Sequence, residues 1–180
     1  KPIRVEVYSD ADEVELLLNG KSLGSAPAGE ANRFKAEFDI IYQPGKLKAV
    51  AYKDGKEQGR YSLTSAEGEI KLVATPDKTH IRNCEHEAVF VEICLTDKDG
   101  NLYHSADRAV SIKVEGAGML MGFGSADPKS EENFFDTTRT TFDGRALAVI
   151  RPVKEGTIHV VVESQGCEGC EFDIIVQSSE

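Results

Sequence analysis

Cys167-Glu168-Gly169-Cys170 is the segment whose residue types point most directly to chemistry. Two thiols at this spacing can form half of a zinc site or a redox pair. Zinc needs further ligands, and the remaining cysteines, Cys84 and Cys94, have nine residues between them and lie about seventy or more positions upstream. A redox pair wants a helix N-terminus to depress a thiol pKa. Here the motif stands between Val160-Val161-Val162 and Phe172-Asp173-Ile174, two strand-like runs. A hairpin turn with free or disulfide-linked thiols is therefore expected. Cys94, inside the apolar run from Val89 to Leu95, reads as a small buried hydrophobe.

The other reactive groups are weaker signals. His80, His86, His104 and His159 include no two residues three to five apart, and His159 alternates with Ile158 and Val160 on an outward strand face. Gly116 to Gly124 is glycine-rich, but a phosphate loop needs a following helix and a Lys-Ser or Lys-Thr pair, and neither is present. Glycines that permit bulges and close sheet packing explain it better. Glu131-Glu132, or Asp10, Asp12 and Glu13, offer paired carboxylates for acid–base work or calcium. Asp10-Ala11-Asp12-Glu13 lacks the ligand spacing and central glycine of an EF-hand, so solvated strand ends are the default. No Gly-x-Ser-x-Gly occurs. No catalytic, cofactor-binding or metal-ligating residue is assigned, and the chain alone is expected to catalyse nothing.

The elements that carry these residues have a period of two. Val5 and Val7 alternate with Glu6 and Tyr8, and Phe34, Ala36, Phe38 and Ile40 alternate with Lys35, Glu37 and Asp39. The pattern recurs to Val176, which is how half-buried strands read. Asn19-Gly20, Asp54-Gly55, Asp99-Gly100 and Asp143-Gly144 tolerate positive φ and suit hairpin tips. Leu16 and Leu18 turn inward, the chain reverses at Asn19-Gly20, and Leu23 returns to the core. No segment has helical periodicity with caps. Many short strands without crossover helices imply an all-β fold of two consecutive immunoglobulin-like antiparallel β-sandwich domains.

At 180 residues, with 40% hydrophobic and 29% charged side chains, the composition is globular. A net charge of −10 excludes nucleic acid as a primary ligand, because a phosphate backbone needs a basic face, and no run reads as a membrane span. Residues 1–66 hold 10 basic and 10 acidic side chains, so all the net charge falls in residues 67–180. That shift meets the small polar stretch Thr64-Ser65-Ala66-Glu67-Gly68, which places a domain boundary between 1–66 and 67–180. A sandwich of about 66 residues buries little surface and is expected to lean on a neighbour. The chain begins at Lys1 and reads as a piece of a longer protein.

Val5-Glu6-Val7-Tyr8-Ser9-Asp10-Ala11-Asp12-Glu13-Val14-Glu15-Leu16, continuing through Leu18-Asn19-Gly20-Lys21-Ser22-Leu23-Gly24, resembles the small β-sandwich behind the catalytic barrel of bacterial β-galactosidases in glycoside hydrolase family 2. Tyr42, Pro44-Gly45, Leu47 to Tyr52 and Asp54-Gly55 follow in the same order. The second part resembles the immunoglobulin-like domain that commonly ends such enzymes, through Asp97-Lys98-Asp99-Gly100-Asn101-Leu102, Gly116 to Gly122 and Ala146 to Arg151. It departs where that domain often carries Asn-Gly-Asp-Pro, since this chain has Ser125-Ala126-Asp127-Pro128.

The resemblance implies a non-catalytic, architectural fragment whose partner is the catalytic barrel of the parent enzyme. Retaining glycosidases use two carboxyl groups roughly 5 Å apart, and that pair is expected upstream. Asp127 is the candidate for a contact at the rim of the substrate cleft. A second copy of the chain and a glycan are further expected partners, and the periplasm or exterior of a bacterium is the expected location. The alternatives are a carbohydrate-binding module, using Tyr8, Tyr42, Tyr52, Tyr61 and Tyr103 for stacking with many phenylalanines turned inward by the alternation, and a cell-surface spacer or adhesin.

Overall fold

Alternating sequences bury one face of each strand, and the chain solves this with four sheets. The computed structural model describes residues 1–178. They form two compact units, divided between Ser65 and Ala66. Fifteen strands and a single 3₁₀ turn, Glu30–Asn32, make up the regular structure of the described residues. No described helix is long and apolar enough to cross a membrane.

In the first unit β1 (Pro2–Tyr8) pairs antiparallel with β4 (Lys35–Ile41). The opposing sheet has four strands in the order β3 (Lys21–Pro27), β2 (Glu13–Leu18), β5 (Lys46–Lys53) and β6 (Lys56–Thr64). Asn19-Gly20 and Asp54-Gly55 have positive φ at both positions and close the β2–β3 and β5–β6 hairpins, as two-residue turns of this hand require. Val14, Leu16, Ala28, Ala36 and Phe38 form the buried core. The outer face of β1 and β4 is an ion-pair ladder, with Arg4 to Asp39 at 3.0 Å, Lys35 to Glu37 at 2.8 Å and Lys35 to Glu6 at 3.2 Å.

Two inward expectations fail here. Leu23 is exposed, because the β2–β3 register shifts between Leu16 and Leu17 and leaves Leu23 as the extra residue of a bulge. Phe34 is exposed at φ 60 and precedes β4 instead of belonging to it.

The second unit stacks sheets of five and four strands. One has the order β12 (Thr138–Thr140), β10 (Ala109–Gly116), β14 (Gly156–Ser164), β15 (Cys170–Gln177) and β8 (His80–Arg82). The other has the order β11 (Gly118–Gly124), β13 (Arg145–Pro152), β9 (Val89–Thr96) and β7 (Lys71–Pro76). Their inward rows, including Val91, Ile93, Leu95, Ile112, Ile150, Val160 and Ile174, are fully or almost fully buried.

The expected antiparallel pairing has one exception, since β8 lies parallel to β15. Asp143-Gly144 forms a two-residue turn with positive φ at both positions. Asp99-Gly100 does not join two long strands; it lies in the β9–β10 connection, inside the bridge between Thr96 and Leu102. The glycine-rich segment became β11, with a register shift between Leu120 and Gly122. A Cβ at Gly118 would overlap the Ile158 side chain, so close sheet packing accounts for that glycine.

Candidate functional site

The most built polar feature of the second unit lies where its two sheets are open. β12 ends one sheet and β11 ends the other. Arg139 sits opposite Val110, so its side chain shares the inward face of that core residue. The side chain is 1% exposed. Arg139 Nε donates to the Phe123 carbonyl of β11 at 2.9 Å, while Nη1 donates to the Glu132 carboxylate at 3.0 Å and the Glu132 carbonyl at 3.1 Å. The guanidinium also lies 5.1 Å from the Phe134 ring centroid, within cation–π range. One charged side chain thus ties the two sheet edges together and anchors the loop of residues 125–137.

Glu132 is the loop's second anchor. Its carboxylate accepts the Thr140 amide and hydroxyl, at 3.1 and 2.8 Å. Partial burial works against ionisation, but the Thr140 donors, Arg139 and the Ser130 hydroxyl outweigh it and hold the carboxyl below the usual carboxylate range. Asp127 is half-buried and spends its carboxylate on its own turn, accepting the Lys129 amide at 2.9 Å.

The anchored loop lays Phe134 against Gly124, where a Cβ would overlap the ring. Beside it runs a groove of about 710 Å³ on the outer face of the four-stranded sheet, lined by Phe90, Glu92, Leu147, Val149, Arg145 and Phe134 among others. Its volume suits a small ligand or a protruding side chain, and its lining is chiefly apolar. Phe134 and Phe135 are 62% and 77% exposed, and Phe90 and Leu147 are also exposed. The expectation of inward phenylalanines is thus corrected: Phe38 and Phe123 are buried, whereas Phe34, Phe90, Phe134 and Phe135 face solvent.

The tyrosines do not form one platform in the first unit. Tyr8 stands on the outer face of β1, whereas Tyr61 stands on the inner face of its sheet, opposite Ala49. Tyr52 and Tyr103 are half-buried, the latter donating to the Gly68 carbonyl at 2.7 Å.

Cys167 lies in the β14–β15 turn and Cys170 opens β15. All four cysteines are free. Arg108 Nη1 is 3.3 Å from Cys167 Sγ, and Cys167 Sγ donates to the Ile70 carbonyl at 3.4 Å. Burial pushes the Cys170 thiol up, which disfavours the thiolate that redox or zinc chemistry needs. Cys94 is half-buried, not part of the core row, because it alternates with the buried Ile93 and Leu95 on the outer face of β9. Burial raises its pKa too.

His159 pairs with Asp173 at 2.8 Å, which raises its pKa. His86 and His104 are exposed singly. Asp12 accepts the Asp54 amide at 2.8 Å and so fixes the β5–β6 turn. Among the described residues no three His, Cys, Asp or Glu side chains converge as metal ligands.

Sequence reasoning missed Arg139 and Asp97. Arg139 carried no readable signal, since β12 has only three residues and its inward position follows from the pairing with Val110. Asp97 is 2% exposed and accepts from the Asn101 side chain and from the Asp99, Asn101 and Glu67 amides. The Asn101 bond first, and then these amides, lower its pKa to about 2 against the cost of burial.

Residues 72–173 match the family described as Glycoside hydrolase family 2 C-terminal domain 5. The chain belongs to that family. Ahead of this C-terminal domain 5 segment, residues 1–59 match a Domain of unknown function (DUF4982). The chain is 31% identical to Beta-galactosidase BoGH2A of Bacteroides ovatus over 160 residues, 88% of this chain and 19% of that protein. It is 34% identical over 151 residues to a Putative beta-glucuronidase of Formosa agariphila, 81% of this chain and 14% of that protein. A solved glycosyl hydrolase family 2 member from Bacteroides cellulosilyticus superposes with a TM-score of 0.93 at 30% identity, covering 98% of this chain and 23% of that one. The C-terminal domain 5 chain therefore spans less than a quarter of these relatives, and its all-β sandwich architecture is that of the matched segment of the solved enzyme.

Proposed function

We propose that the chain is a non-catalytic C-terminal accessory piece of a β-galactosidase-like family 2 glycoside hydrolase, shaping its architecture beside a catalytic barrel. The observation that carries this reading is the superposition of 98% of the chain on only 23% of a family 2 enzyme. Its carboxylates are consistent with the role. Glu132, Asp97, Asp12 and Asp127 are each engaged in holding backbone turns or a buried arginine. The exposed apolar groove supplies surface of the kind a scaffold buries against its neighbours.

In the complete protein, hydrolysis of an aryl β-galactoside or β-glucuronide is expected, and the Asp127→Asn variant is expected to keep kcat and KM within about twofold. Absence of both hydrolyses overturns the assignment. A kcat loss of about 100-fold or more in Asp127→Asn, with native unfolding behaviour, gives this chain a catalytic part and overturns its accessory role.

One observation favours the carbohydrate-binding alternative. Phe90 and Phe134 bound the groove, with Glu92 and Arg145 at its lining, and aromatic rings with nearby polar groups are how sugar sites are built. Calorimetric heat with galactosides at millimolar concentration, abolished by Phe134→Ala, would select it.

A further inference from the structure

The first unit sets two strands against four. In its smaller sheet, the Ser9 amide donates to the Phe34 carbonyl at 2.8 Å and the Tyr42 amide to the Lys1 carbonyl at 2.9 Å. Together with the register, in which Ile3 faces Ile40 and Val5 faces Phe38, these bonds fix the phase of the ladder. Odd-numbered residues of β1 exchange hydrogen bonds with β4, so the N–H and C=O groups of Arg4, Glu6 and Tyr8 point to the opposite edge. Among the described residues no strand pairs there.

The larger sheet is uncovered on the matching side. Leu16 faces Ala49, which faces Tyr61; Leu18 faces Leu47, which faces Leu63. Directly opposed residues share a face, so Tyr61 and Leu63 lie on the core side with Leu16. Yet Leu16 is 1% exposed, whereas Tyr61 is 72% and Leu63 59% exposed. β4 approaches β2 and β3, which puts β1 toward β5 and the vacant position beside β1 over β5 and β6. An unpaired row of backbone groups and an uncovered apolar row therefore border the same gap.

We infer that a further extended strand, from polypeptide outside residues 1–180, pairs along the free edge of β1 and lays alternate apolar side chains on Tyr61 and Leu63. A strand is the occupant because only an extended backbone satisfies that row of donors and acceptors while projecting every second side chain inward. The outer face of β1 and β4 needs no cover, its charges being already paired. The inference rests on the proposed function only for the strand's source, since the relatives are at least four times longer than the segment they share with this chain.

The test is residue-resolved amide hydrogen exchange in the complete protein at high dilution. The Arg4, Glu6 and Tyr8 amides are expected to be slowed by about 100-fold or more, alongside those of Val5 and Val7. Free exchange at Arg4, Glu6 and Tyr8 with Val5 and Val7 protected overturns the inference. So does protection that appears only as concentration rises, which would seat a second copy on the edge. Leu63→Asp is expected to speed exchange of the three edge amides about tenfold or more, and Tyr8→Ser, on the outer face, is expected to leave them slow; equal behaviour of the two variants also overturns it. Edge protection without glycoside hydrolysis would remove the proposed function and leave the strand in place.

Discussion

The two units share alternating strands and two-residue turns, but differ in how well their sheets cover one another. In the second, sheets of four and five strands face each other, and eighteen described core residues are buried together. In the first, two strands face four and only five residues form the buried cluster. Sheet edges explain the contrast. The second unit bridges its open side with the buried Arg139, whereas the first leaves Tyr61 and Leu63 in solvent on the core side. Identical strand chemistry thus gives a closed core or a partial one, depending on how many strands are available to cover it.

The largest effect that would break this comparison comes from equal cavities in the two cores. Leu16→Ala and Ile150→Ala each delete a buried aliphatic side chain and are expected to cost about 3–4 kcal/mol. In denaturant titrations the first is expected to abolish the transition of the small unit, while the second only lowers the midpoint of the larger one. Equal retention of both transitions would show the two cores to be equally sufficient.

Arg139→Leu sharpens the account of the closed edge. It removes the bonds to Phe123 and Glu132 and leaves the Glu132 carboxylate without its cation, with an expected loss of about 3 kcal/mol in the second unit. Faster proteolysis between residues 125 and 137 is the accompanying readout. Unchanged stability and cleavage would mean that packing alone closes that edge.

The smallest effect is pH-dependent. The Asp97 pKa falls to about 2 in the folded chain from an ordinary 3.8. Its ionised form therefore favours folding above about pH 4, and that contribution fades as pH falls toward about 2. The melting temperature of Asp97→Asn is expected to lie below that of the unaltered chain at pH 6, with the gap narrowing across that window. A gap independent of pH would assign the effect to lost geometry instead of charge.

Much of this was legible in sequence. Alternation from Val5 to Val176 marked the strands, and Asn19-Gly20 and Asp54-Gly55 marked two hairpins, because both signals are local. Leu23 and Phe34 escaped because a bulge and a left-handed residue shift the phase by one, and a one-residue shift reverses which face is buried. Short strands such as His80–Arg82 and Thr138–Thr140 carry too few residues to show a period. The Arg139 clamp joins β12, β11 and the connecting loop, so its bonds existed only once the sheets were stacked.

The amino-acid order by itself determined strand character, turn positions and the family resemblance, since each depends on near neighbours and side-chain type. Only the tertiary structure decided which edges close and which stay open. That outcome turns on pairing between residues as distant as Arg4 and Asp39, and on whether the facing sheet is wide enough to take an apolar row out of water.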